Sequence, residues 1–187
     1  MGVQSDSDRT RHGKGRMAVY VIILVIAAFI AYLAAFRDLS MFLVPSGSME
    51  PTLYSRDYLI TLAEDLYRRG DIVVIRDPAD PKSFLVKRIV GLPSDRVEIL
   101  GGALFINDQY ASEPYVKEPM EFGFGPYTVP DGDVFVLGDN RNNSEDSVTW
   151  KRAVPASTII GKVRFIYNPI SRMGPVDSFP LTTTASS

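Results

Sequence analysis

From Met17 to Phe36 the chain reads MAVYVIILVIAAFIAYLAAF, 20 residues without a charge. A helix rises about 1.5 Å per residue, so a run of this length is about 30 Å long, the thickness of a hydrocarbon core. A cleaved secretory leader has a shorter apolar region, about 7–15 residues, and ends in a small-residue cleavage site. This run is longer and ends Ala-Ala-Phe-Arg-Asp. We read residues 17–36 as a transmembrane helix. Arg9, Arg11, Lys14 and Arg16 precede it, while only Arg37, beside Asp38, follows closely. The positive-inside rule then makes residues 1–16 a cytoplasmic basic tail and places the rest of the chain across the membrane.

Beyond the apolar run, short β-branched stretches recur between turn residues: Tyr58–Leu62, Asp71–Arg76, Phe84–Val90, Arg96–Leu100, Ala103–Asn107, Asp133–Leu137 and Ile159–Tyr167. Gly101-Gly102 between two of them is a hairpin signal. The pattern predicts a mostly β, antiparallel sheet domain over residues 37–170, with room for two small sheets packed together. Residues 63–69 are expected to form a turn of helix. Residues 108–130, with Pro114, Pro119, Pro126 and Pro130, are expected to be a long irregular insertion. Residues 171–187, rich in Pro, Ser and Thr, are expected to be a flexible tail.

Composition removes several kinds of chemistry. The chain has no cysteine, so disulfides, thiolate catalysis and Cys-type metal sites are excluded. Its one histidine is His12, in the basic tail, on the opposite side of the expected span from everything else of interest. A net charge of −2 gives no reason to expect nucleic acid as a partner. A Ser-His-Asp triad cannot be assembled beyond the apolar run.

Residues 45–53 read Pro-Ser-Gly-Ser-Met-Glu-Pro-Thr-Leu. Only 12 positions separate Phe36 from Ser48, so Ser48 lies within about 40 Å of the end of the apolar run. In an extended segment Ser46 and Ser48 would point the same way, about 6–7 Å apart. A serine hydroxyl needs a base to act as a nucleophile, and without histidine the candidates are a carboxylate or a neutral lysine. Lys87 lies in Phe84-Leu85-Val86-Lys87-Arg88-Ile89-Val90, apolar at both parities, so both faces of such a strand should be partly buried. Deprotonating an ordinary lysine at pH 7 costs about 4.6 kcal/mol, and burial can remove most of that by lowering the pKa about 3–5 units. Arg88 cannot substitute as a base, because a guanidinium stays protonated. It must point to the other face and needs a carboxylate, for which Asp139 and Asp146 are candidates. Both belong to the polar stretch Gly138–Ser147, where Arg141 counts against an EF-hand type calcium loop.

Together these stretches resemble the bacterial type I signal (leader) peptidases, the membrane-anchored Ser-Lys proteases. Residues 44–53 look like the nucleophile box, Arg69–Val74 like the following strand motif, Val86–Pro93 like the lysine box and Gly138–Ser147 like the last box. The resemblance implies Ser48 as nucleophile and Lys87 as general base. It implies an oxyanion hole from the Ser46 hydroxyl and the Ser48 N–H. Ser144 would orient the Lys87 amine, Asp139 would pair with Arg88, Asp146 would hold the last box in shape, and Met49 would pack beside the serine. It implies no metal and no cofactor. The implied substrates are signal-peptide-bearing preproteins cleaved after Ala-x-Ala type sites. The implied location is the bacterial cytoplasmic membrane, with one span, a cytoplasmic N-terminus and the catalytic domain at the outer face of the lipid bilayer.

Three positions depart from the family pattern. Val148 stands where an arginine would pair with Asp146, so Arg141 or Arg152 is expected to replace it. Ser94 and Lys151 stand where glycine is frequent. The alternatives are a specialised Ser-Lys peptidase for a single exported substrate, a self-cleaving repressor-type protease, and a non-catalytic anchored domain that binds exported chains.

Overall fold

The computed structural model describes residues 17, 19–31, 38–179, 181, 183 and 184. Residues 19–31 are helical (α1) and exposed along their length. Among the described residues no helix is long and apolar enough to cross a membrane. The expected span also takes in residues 18 and 32–36, and the basic tail with His12 precedes it. All of these lie outside the described residues.

Residues 39–187 form a separate unit built of strands. In chain order these are β1 (Leu39–Leu43), β2 (Tyr58–Leu62), β3 (Ile72–Arg76), β4 (Phe84–Gly91), β5 (Arg96–Leu100), β6 (Ala103–Ile106) and β7 (Gln109–Ala111). They continue with β8 (Phe124–Thr128), β9 (Asp133–Leu137), β10 (Val154–Pro155), β11 (Ile159–Asn168), β12 (Gly174–Pro175) and β13 (Thr183–Thr184). One short helix, α2 (Ser147–Trp150), follows β9. The larger sheet runs β1-β2-β11-β3-β4-β9-β10, with β12 on β11; the smaller runs β13-β7-β6-β5-β8. The pairings are antiparallel, as the strand pattern predicts.

The larger sheet is buried on both faces near its centre. Ile72 and Val74 of β3 pack with Met49, Leu53 and Val86, whereas Val73 and Ile75 pack with Ile89, Val134 and Val136. Two-sided burial explains why β3 and β4 read as continuous apolar runs. A third cluster joins the smaller sheet to the larger through Val97, Ile99, Leu104, Phe135 and Leu137.

Several expectations are corrected. Residues 63–69 form no helix; Tyr67 Oη accepts from the Glu64 N–H, and Asp71 accepts from the Arg68 N–H, which ties the segment as a loop. Residues 108–130 are not wholly irregular, because β7 and β8 lie inside them. Pro126 hid β8: the β5–β8 register shifts between Val97 and Ile99, so Gly125 and Pro126 fall in a bulge on an edge strand. The described residues of the stretch read as a loose tail pack instead. They add β12 and β13, and Leu181 packs against the smaller sheet's core. β1 pairs with β2, although its five residues gave no strand signal of their own.

Candidate active site

Residues 46–52 form bends and turns between β1 and β2. The Glu50 N–H donates to Gly47 O at 3.1 Å and the Leu53 N–H to Met49 O at 2.9 Å. The turn brings Ser46 Oγ to 3.4 Å from Ser48 Oγ, about half the separation an extended chain allows. Met49 and Leu53 are fully buried beneath it, which fixes Ser48 on a packed base.

Lys87 and Arg88 are adjacent on β4, paired opposite Val73 and Ile72 of β3, and leave the strand on different faces. Lys87 is 2% exposed. Its Nζ donates to Ser48 Oγ at 2.8 Å and to Ser144 Oγ at 3.1 Å. Burial lowers the Lys87 pKa to about 8, while Asp146, Glu145, Asp139 and Asp77 oppose the fall electrostatically. The structure therefore brings Ser46, Ser48, Lys87 and Ser144 together, from segments distant in sequence.

Arg88 is wholly buried. It donates from Nε to Asp139 Oδ1 at 2.8 Å, from Nη2 to Asp139 Oδ2 at 2.7 Å, and from Nη1 to Gly70 O at 2.7 Å. The same Asp139 Oδ2 accepts from Thr52 Oγ1 at 2.5 Å. The pair thus anchors the nucleophile turn as well as satisfying a buried guanidinium.

Asp146 is held differently from the expectation. Its Oδ2 accepts from the Gly138 N–H at 3.0 Å, and its Oδ1 caps α2 by accepting from the Val148 N–H at 3.2 Å. Burial pushes its pKa up, opposed by the Gly138 N–H and the Ser144 hydroxyl. Arg141 is not its partner; both terminal nitrogens of Arg141 bond Glu113. A carboxylate that caps a helix and takes a second backbone N–H needs no arginine to satisfy its oxygens.

Four positions that hold this arrangement carry no assigned role in the sequence reading. The Asn140 N–H donates to Ser48 O at 3.0 Å, and Asn140 Nδ2 donates to Gly47 O at 3.0 Å, so one residue holds both peptides flanking the nucleophile. Its place in the polar stretch was the available signal. Gly138 is required by crowding: a Cβ there would lie 2.3 Å from Ser144 Oγ and 2.5 Å from Ser48 O. Thr52 and Glu113 carried no signal beyond residue type. Ser94 (φ 69°) and Lys151 (φ 56°) both occupy the left-handed region, which accounts for glycine being the easier residue at each.

The sequence profile described as "Signal peptidase, peptidase S26" matches residues 16–168. The probable signal peptidase I-1 of Synechocystis sp. is 36% identical over 168 residues, covering 84% of this chain and 85% of its own. Signal peptidase I of Bacillus licheniformis is 31% identical over 184 residues, covering 91% of this chain and 98% of its own. The crystal structure of a signal peptidase I from Enterococcus faecalis V583 aligns at a TM-score of 0.48 and 30% identity, over 54% of this chain and 98% of its own. With the match running from the end of the basic tail to the last residue of β11, the chain belongs to the signal peptidase family, peptidase S26, and is a serine protease.

Proposed function

We propose that the protein removes N-terminal signal peptides from exported preproteins, cutting after small residues of the Ala-x-Ala type with Ser48 as nucleophile and Lys87 as general base. One observation carries the reading: a buried lysine, its pKa brought down to about 8, within 2.8 Å of a serine hydroxyl. No histidine follows residue 12 to compete for the role.

In the neutral form the Lys87 amine accepts the Ser48 proton as Oγ bonds to the scissile carbonyl carbon. The developing oxyanion is received by the Ser46 hydroxyl and the Ser48 N–H, donors of a kind worth about 3–4 kcal/mol each. The C–N bond then breaks and the Lys87 ammonium returns its proton to the leaving amine. Water, deprotonated by Lys87, then attacks the ester carbonyl; the C–Oγ bond breaks, Ser48 Oγ takes the proton back from Lys87, and the signal peptide departs with a new C-terminal carboxyl. Ser144 accepts from the amine, so it orients Nζ without offering it an ion pair. Ser48, Lys87 and water suffice for these steps.

Residues 17–36 supply the anchor in this reading, with residues 1–16 cytoplasmic and the β unit on the outer face. A substrate's own apolar segment then shares the bilayer with the enzyme, which raises effective concentration. The test is cleavage of a preprotein bearing an Ala-x-Ala site by detergent-solubilised enzyme, with sequencing of the product's N-terminus. Cleavage after the −1 alanine that both Ser48→Ala and Lys87→Ala abolish supports the reading. Unchanged cleavage in either variant overturns the dyad.

A further inference from the structure

Glu113 lies in the stretch 108–130, outside every family box. Its side chain is only 9% exposed, and that of its partner Arg141 1%. Glu113 Oε2 accepts from Arg141 Nη1 at 2.7 Å. Its Oε1 accepts from Arg141 Nη2 at 2.5 Å and from the Tyr115 hydroxyl at 2.8 Å. This is the bidentate geometry in which an arginine–carboxylate pair is both strong and directional.

The remaining guanidinium donor, Arg141 Nε, bonds Gly138 O at 3.0 Å. The Gly138 peptide is wedged against both polar neighbours of Lys87, since the space of a Cβ there is already filled by Ser144 Oγ and Ser48 O. A shift of Gly138 therefore reaches Ser144 Oγ directly, and reaches Ser48 Oγ through the Ser48 backbone; these are the two hydroxyls that bond the Lys87 amine. A second path leaves the same carboxylate. The Tyr115 ring lies under Arg88, whose guanidinium carbon is 3.7 Å from the ring centroid, and Arg88 holds Asp139 and through it Thr52 of the nucleophile turn. Further bonds lace the two segments together: Glu121 N–H to Asn142 Oδ1 at 3.0 Å and Asn142 Nδ2 to Pro119 O at 3.1 Å.

We propose that Glu113 is a positioning residue for the Ser48–Lys87 pair, fixing Arg141 and through it the Gly138 peptide, so that Ser48 and Ser144 stay at bonding distance from the lysine amine. The stretch 108–130 is then a brace for the reacting groups. This rests on Ser48 and Lys87 being the reacting pair. Misplacing reacting groups by about 1 Å can cost about 100-fold in rate, so a loosened brace is expected to act on kcat.

The test compares wild type, Ser48→Ala, Glu113→Gln, Arg141→Met and the Glu113→Gln/Arg141→Met double variant, measuring kcat, KM and Tm on one preprotein substrate. Removing one partner leaves a buried charge unpaired, whereas removing both does not, so the double variant separates stability from positioning. Glu113→Gln is expected to lower kcat about 10-fold or more with KM within about threefold. The double variant is expected to regain a Tm close to wild type and not to regain kcat, because the bond to Gly138 O stays lost. Recovery of kcat along with Tm would show a merely structural pair and overturn the proposal. So would a changed KM at unchanged kcat, or a Glu113→Gln enzyme with wild-type kcat. Cleavage surviving in Ser48→Ala would instead overturn the dyad itself, a separate result.

Discussion

Lys87 and Arg88 are neighbours on one strand, both cationic residues and both removed from water, yet their surroundings treat them in opposite ways. Arg88 meets Asp139 head on, with two hydrogen bonds to its carboxylate and a third to Gly70 O. Lys87 meets only hydroxyls, those of Ser48 and Ser144. The carboxylate that acts on it most strongly through space, Asp146, spends its oxygens on the Gly138 and Val148 N–H groups. Burial is common to both; what differs is the partner. A paired guanidinium becomes a structural anchor, and an ammonium denied a carboxylate gives up its proton more readily. The lesson is that this site is made as much by where Asp146 does not point as by where Lys87 does.

The largest effect should come from exchanging the character of the first residue for that of the second. Lys87→Arg keeps a cation on β4 but removes a group that can act as a base, and Lys87→Ala removes the amine altogether. Both are expected to lower kcat by at least about 10³, in the range found when one member of a nucleophile–base unit is deleted. Steady-state cleavage of a signal-bearing substrate measures it; activity in Lys87→Arg within about tenfold of wild type would break the comparison.

Next comes the anchor. Asp139→Ala leaves the Arg88 guanidinium buried without its carboxylate, a change that typically costs about 3–5 kcal/mol. Denaturant unfolding is the direct measurement, and the Thr52 hydroxyl loses its acceptor in the same step. A loss below about 1 kcal/mol would mean that water reaches Arg88 and that the two neighbours differ less than their geometry indicates.

Much of this contrast was legible in the sequence, and for a physical reason. Strand alternation separates Lys87 from Arg88, and the scarcity of histidine forces attention onto the lysine. What the sequence did not show is where loops close. Glu113 and Arg141 are 28 positions apart, and nothing local marks them as partners. Pro126 concealed β8 because a proline in a bulge reads like a loop, and β13 is two residues whose only reason to be extended is β7 beside them. The local sequence of the nucleophile stretch does not set the spacing of Ser46 and Ser48. The turn that sets it is held from another segment by Asn140, which bonds both Gly47 O and Ser48 O.

Stability against pH sharpens the comparison at the level of a few kcal/mol. Lys87 has a folded pKa of about 8 against an ordinary 10.5, so below pH 8 both folded and unfolded chains carry the proton and the full cost of burying an ammonium is present. Between about 8 and 10.5 the unfolded chain binds more protons than the folded one, and stability contributed by this group rises with pH. Lys87→Met removes that cost and is expected to gain about 2–3 kcal/mol at neutral pH, less what the lost bonds to Ser48 and Ser144 supplied. The gain should shrink as pH is raised toward 10, which unfolding curves at three pH values would read. A loss of stability at pH 7 would argue that the ammonium is better solvated than its burial implies. Activity follows the same proton with the same sign: it rises with pH and levels off above about 8.

The smallest effect is the most discriminating. Glu145 is exposed, and its charge opposes the lowering of the Lys87 pKa across space. Glu145→Gln removes that opposition without touching the Ser48 or Ser144 contacts. The Lys87 pKa should fall, and the rising limb of the pH–rate profile should move toward lower pH by a fraction of a unit, as a screened surface charge allows. Added salt should move the wild-type profile in the same direction and the variant's by less, because deletion has already removed one of the interactions that salt screens. A shift toward higher pH in the variant would contradict a lysine base, since loss of a negative neighbour can only make an ammonium easier to deprotonate. The two neighbours on β4 then part once more, because a deleted surface charge can tune a base but leaves an arginine's anchoring role where it was.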